Sequence, residues 1–105
     1  MTATILSDSI CRARRPHTCD QCMHKIKFGE SYRRQVYIDG ELCTYRAHDD
    51  CDAAALRKQE LGDYHPTYDD PVNLRNDLCP EDYPWLLAEF PAVADRFGIT
   101  DRTIA

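Results

Sequence analysis

The pattern that most limits how this chain can fold is Cys19-Asp20-Gln21-Cys22, followed after twenty-five residues by His48-Asp49-Asp50-Cys51. Each pair of donors is separated by two residues, which matches the ligand spacing of a structural zinc site built from three thiolates and one imidazole. Zn²⁺ takes four such donors tetrahedrally, and a two-residue spacer lets one tight turn aim both of its side chains at a single ion. The residues in between must leave the first pair and return to the second, as a two-stranded hairpin does. Four protein ligands fill the coordination shell, so the spacing predicts one structural Zn²⁺ on Cys19, Cys22, His48 and Cys51 and no open position for hydrolysis. The competing readings are a Cys19–Cys22 disulfide, which a reducing compartment disfavours, and cysteines buried by coincidence.

The segment between the pairs carries its own signal. Tyr32 to Ile38, then Asp39-Gly40, then Glu41 to Ala47 reads as a hairpin, because an Asp-Gly pair between β-formers favours a type I′ turn. A two-residue loop would set Ile38 opposite Glu41, Val36 opposite Cys43, Arg34 opposite Tyr45 and Tyr32 opposite Ala47. The other face would then carry Arg33, Gln35, Tyr37, Leu42, Thr44 and Arg46. Cys43 is expected to be a small core residue beside Val36 and Tyr45. Beyond the hairpin, Asp49-Asp50-Cys51-Asp52 leads into an Ala-rich stretch with Arg57 and Lys58 late and Gly62 last, which predicts one capped helix of about three turns. Its start, where backbone N–H groups are unpaired, favours thiolate.

Three segments follow. Residues 1–16 form a basic arm or first strand. Residues 17–62 form a treble-clef zinc finger (knuckle, hairpin, helix). Residues 63–105 form an acidic extension, irregular to about residue 80, then with two short helices over Glu81–Phe90 and Pro91–Ile99 packed on the finger. The fold class is therefore α+β. A chain of 105 residues buries only about two-thirds of its unfolded surface, so a bound ion is expected to supply much of its stability. No apolar run approaches the ~20 residues a bilayer span needs, and MTATILSDSICRARR lacks a charged n-region ahead of an apolar core. These readings predict no membrane association and a cytoplasmic location. Cys11 and Cys79 fall outside the finger and are read first as buried thiols, with a mutual pair or a second site involving His17 or His65 as alternatives. His24 is read as a surface histidine.

Thirteen basic against eighteen acidic side chains give a net charge of −5, but the charge is divided. Residues 1–34 hold seven basic and three acidic side chains, while residues 35–105 hold six and fifteen. A chain so polarised offers a phosphate-facing patch and an acidic surface at once, or simply two solvated faces. The candidate nucleic-acid contacts are Arg12, Arg14, Arg15, Lys25, Lys27, Arg33, Arg34 and Arg46, with Tyr37 for stacking. The candidate protein contacts are Tyr64, Tyr68, Asp69, Asp70, Glu81, Asp82 and Tyr83, which would meet a basic partner surface.

The residues His17-Thr18-Cys19-Asp20-Gln21-Cys22, Ile26, Gly29-Glu30, Tyr32-Arg33, Asp39-Gly40, Tyr45 and Ala47-His48-Asp49-Asp50-Cys51 resemble a small zinc-finger type found in phage and bacterial proteins. Their spacing is also similar to that of the zinc fingers of poly(ADP-ribose) polymerases and some DNA ligases. The resemblance spans about residues 17–55 and implies the metal fold. Its phage setting implies a small intracellular accessory protein, such as an inhibitor of a host nucleic-acid-handling or defence complex of the anti-CRISPR kind. An acidic surface would suit a channel built for nucleic acid.

No phosphate loop, nucleophile elbow or dinucleotide fingerprint occurs, and Cys79 with His65 is the only thiol–imidazole pair not otherwise committed. The sequence thus predicts a non-enzymatic, zinc-stabilised module that binds a macromolecule, with protein the first expectation. Direct nucleic-acid binding through the basic arm and the outer hairpin face is the alternative.

Overall fold

The computed structural model describes residues 4–62 and 72–104. Five strands come first: β1 (Thr4–Arg12), β2 (His17–Thr18), β3 (Lys25–Ile26), β4 (Ser31–Asp39) and β5 (Glu41–His48). Helices α1 (Asp49–Leu61), α2 (Leu74–Asp77), α3 (Tyr83–Glu89), α4 (Pro91–Arg96) and α5 (Asp101–Ile104) follow, with a 3₁₀ turn at Pro80–Asp82. Sheet and helices thus make a small mixed α/β chain. It divides into two compact units, Met1–Asp49 and Asp50–Ala105, the division falling in the first turn of α1.

In the first unit, β1, β4 and β5 form an antiparallel sheet in that order, and β2 pairs with β3 as a separate ribbon. The N-terminal segment is a strand up to Arg12, with a register shift between Ile5 and Ser7 that leaves Leu6 as the extra residue of a bulge. Ile5, Leu6 and Ile10 stay exposed, so ladder hydrogen bonds and not side-chain burial hold β1 in place. Ile26, Tyr32, Ala13 and Ala47 make the apolar core of this unit.

The hairpin forms where the sequence places it, but its register differs by one residue from the expected pairing. Ile38 faces Leu42, Val36 faces Thr44, Arg34 faces Arg46 and Tyr32 faces His48. The cause lies in the turn: Asp39 faces Glu41, and Gly40, at φ +78°, alone takes the left-handed conformation. Side chains alternate along a strand, so this one-residue difference redistributes the faces. Arg46 joins Arg34 and Tyr32, and half-buried Cys43 lies opposite Tyr37 instead of Val36.

The second unit is helical. Leu74, Leu86, Val93 and Ala94 are fully buried, with Ala54 and Ala55 of α1 and Ile99 also inside. Prolines open its short helices, at Pro80, at Pro84 in the first turn of α3 and at Pro91, where a missing N–H costs nothing. Helix α4 ends on Gly98 (φ +72°), and the Ile99 N–H reaches back to the Ala94 carbonyl, a Schellman-type close. Among the described residues no helix is long and apolar enough to cross a membrane.

Asp82 ties the unit together. Its carboxylate accepts from Lys58 Nζ at 2.7 Å, from the Cys79 main-chain N–H and thiol, and from Trp85 Nε1 at 3.1 Å. Burial pushes this carboxyl up, but the Lys58 ammonium and the other donors outweigh it and bring the pKa from 3.8 down to about 2. A carboxyl whose folded pKa lies below its unfolded value contributes stability that is fully present above about pH 4 and lost as pH falls toward 2. Asp82→Asn should therefore cost roughly 2 kcal/mol at neutral pH and flatten the acid limb between pH 4 and 2. Urea unfolding at a series of pH values, followed by Trp85 fluorescence, measures both effects.

Candidate functional site

Cys19 and Cys22 sit in the turn joining β2 to β3. The Cys19 N–H bonds to the His24 carbonyl, the Met23 N–H to the Cys19 carbonyl, and Met23 takes a positive φ of 65° to close the loop. The two spacer residues fasten this turn to the hairpin. Asp20 exchanges main-chain contacts with Arg46, its N–H donating to the Arg46 carbonyl at 2.7 Å and its carboxylate accepting the Arg46 N–H at 2.9 Å. Buried Gln21 donates from Nε2 to the Tyr45 hydroxyl at 2.9 Å. His48 is the last residue of β5 and Cys51 lies in the first turn of α1.

This arrangement gathers the sequence-predicted ligands. One ligand atom from each of Cys19, Cys22, His48 and Cys51 lies within 4.8 Å of every other, and all four residues are buried. Cys22 Sγ and His48 Nδ1 are 3.5 Å apart, about the edge of a tetrahedron with bonds of about 2.3 Å to sulfur and 2.0 Å to nitrogen. The other ring nitrogen, His48 Nε2, lies 3.1 Å from the Lys25 carbonyl. That bond needs the proton on Nε2 and leaves the Nδ1 lone pair directed at the thiols. Glu30 Oε1 stands 3.9 Å from Nε2 and accepts the Lys27 N–H, so a carboxylate backs the imidazole. Two thiols have donors of their own: the His48 N–H lies 3.4 Å from Cys19 Sγ, and Arg96 Nη1 lies 3.3 Å from Cys51 Sγ while also bonding Asp50 at 2.7 Å. N–H donors aimed at sulfur favour thiolate, the form a metal needs. No disulfide joins any of the six cysteines. The four residues fit one metal ion.

The second feature is an open concavity of about 730 Å³ in the first unit, lined by Arg12, Arg14, Arg15, Arg34 and Arg46. His17 and Tyr32 line it too, their rings 5.4 Å apart. Arg34 and Arg46 enter from directly opposed positions of β4 and β5, and Arg12, Arg14 and Arg15 from the end of β1 and the segment after it. Among the described residues none of these five forms an ion pair with a carboxylate; Arg12 donates to the Gly29 carbonyl at 3.2 Å. Among the described residues the buried Nε of Arg46 has no hydrogen-bond partner. Burial lowers the His17 pKa, and the charges of Arg46, Arg15 and Arg34 lower it further.

The remaining candidates fall elsewhere. Arg33 lies on the opposite sheet face, where it forms a two-pronged bond to Asp8 at 2.6 and 2.9 Å and holds that carboxyl below its ordinary pKa. Tyr37 shares that face with Cys43. Lys25 and Lys27 are exposed outside the concavity. Of the protein-contact set, Tyr64, Tyr68, Asp69 and Asp70 lie outside the described residues, as does His65. Glu81 is exposed, Tyr83 is half-buried, and Asp82 is committed to internal bonds. Sequence reasoning passed over Phe28, 76% exposed on the loop whose Gly29 bonds Arg12 and Ala13. An aromatic between Lys27 and Gly29, outside any strand, was the available signal.

Comparison with protein-family models, curated proteins and solved structures finds no match, so the chemistry of these two features carries the functional argument.

The purified chain should carry about one metal ion. A strong chelator, or Cys51→Ala, should lower its melting temperature by at least ~10 °C or abolish the cooperative transition, since binding at such sites is folding free energy. Elemental analysis paired with a thermal melt before and after chelation checks this; a metal-free protein indifferent to chelator would contradict the site.

Proposed function

We propose that this chain is a zinc-stabilised, non-enzymatic module that binds nucleic acid through the arginine-lined face of its sheet. The observation that carries this reading is the gathering of Arg12, Arg14, Arg15, Arg34 and Arg46 around one concavity, with no carboxylate ion pair among the described residues. Guanidinium groups match phosphate oxygens two at a time, and a site of this charge recruits a polyanion even though the whole chain is net negative. Exposed Phe28, on the loop bonded to the arginine segment, adds a surface on which a base can stack. Three thiolates and an imidazole suit Zn²⁺ among the common metals, and four protein ligands leave it a structural role. The order of turn, hairpin and helix start supports a treble-clef reading of the metal centre. A non-enzymatic role is supported by the neighbourhood of Cys79, whose thiol donates to a carboxylate that already holds Lys58. Of the acidic protein-contact set, Glu81, Asp82 and Tyr83 lie among the described residues, and Asp82 is committed to internal bonds.

Fluorescence anisotropy with single- and double-stranded DNA and RNA at low salt should show binding that weakens steeply as salt rises. Arg34→Glu with Arg46→Glu should reduce affinity by ten-fold or more, while Arg33→Glu, on the opposite face, should change it less than three-fold. An absence of binding to every oligonucleotide, with the metal loaded, would refute the reading.

A further inference from the structure

Arg34 and Arg46 occupy directly opposed positions on neighbouring strands. Like charges so placed destabilise a sheet, and no carboxylate relieves them among the described residues. Arg46 is half-buried and its Nε is covered without a partner among the described residues, so part of its charge sits away from water as well. Arg12, Arg14 and Arg15 bring three more guanidiniums to the same hollow. The five side chains line one open concavity. A stripe matches the phosphodiesters of a strand lying across it, each with a single charge. A concavity lined by several guanidiniums matches one compact group of higher charge with several acceptor oxygens.

We infer that the arginine-lined concavity is a site for a terminal phosphate monoester, the phosphorylated end of a nucleic-acid strand. Such a group carries close to two negative charges and three free oxygens, and offers acceptors to several guanidiniums at once. An internal phosphodiester has two free oxygens and one charge. Arg34 and Arg46, fixed across a strand pair, would take the terminal oxygens in fork geometry. The arginines of the segment after β1 would take the remaining oxygen and the next phosphate along the strand. Phe28, on the loop that Arg12 holds through Gly29, would take a base of the same strand end. This assignment rests on the nucleic-acid reading above and adds which part of the strand is bound.

The test compares one short single-stranded oligonucleotide bearing a 5′-phosphate, a 3′-phosphate or two hydroxyl ends, each titrated by anisotropy into the metal-loaded full chain. A phosphorylated end should bind about ten-fold tighter than the hydroxyl-ended strand. Arg34→Gln with Arg46→Gln should weaken every strand, but the phosphorylated ones about ten-fold more than the hydroxyl-ended one, so that the preference is lost. Arg34→Lys, which keeps the charge but loses the fork and spares the fold, should reduce the preference part of the way. Equal affinity for all three ends would overturn the terminal-phosphate assignment and leave the nucleic-acid reading standing. Failure of all three to bind would overturn both. As competitors of the phosphorylated strand, inorganic phosphate and adenosine monophosphate should be at least ten-fold weaker than the strand itself. Equal competition by the mononucleotide would reassign the site to a free nucleotide and overturn the strand.

Discussion

Three thiols and an imidazole packed together in a dry interior need something to share their lone pairs, and that need organises the chain. Cys19 and Cys22 come from a turn between two very short strands, His48 from the end of a third and Cys51 from a helix start. The two-residue strands β2 and β3 are too short to persist through backbone pairing alone. The outer bonds also point inward: Nε2 of His48 to the Lys25 carbonyl, the His48 N–H to Cys19, Arg96 to Cys51. They hold the donors in a protonation state and direction suited to a cation, and a buried imidazole with Nδ1 turned toward sulfur has little other use.

Much of this was legible in the sequence because short-range chemistry dictates it. The C-x2-C spacing, the Asp-Gly turn, the Asp-rich helix start and the prolines at helix openings each act within a few residues, and the donors, hairpin and helices appear where those signals put them. The hairpin register was not legible. Asp39-Gly40 is compatible with a two-residue loop and with the observed turn centred on Gly40, and propensity does not separate them. The contacts that agree with the observed register are tertiary: Asp20 on both main-chain groups of Arg46, and Gln21 on Tyr45. Asp20 and Gln21 read as mere spacers in the sequence, since nothing local says that a spacer side chain will reach across to another strand.

The charge pattern shows the same division. A basic N-terminal third and an acidic remainder could be counted directly, but counting could not tell Arg33 from Arg34. One neutralises Asp8 on one face of the sheet; the other faces Arg46 on the opposite face. The acidic residues were equally opaque to composition, because Asp82, expected on a surface, is an internal hub for an ammonium, a thiol and an indole.

The bond between Asp20 and Arg46 links the two halves of this picture. Asp20 is fixed between two metal donors, and it grips the strand two residues before a third. A slip of β5 by one residue against β4 would carry Arg46 to the far side of the sheet from Arg34 and part the two arginines without changing a single side chain. An ion closing the donor set would thereby act as a register pin, and the charge geometry of the sheet would be a readout of whether that pin is in place.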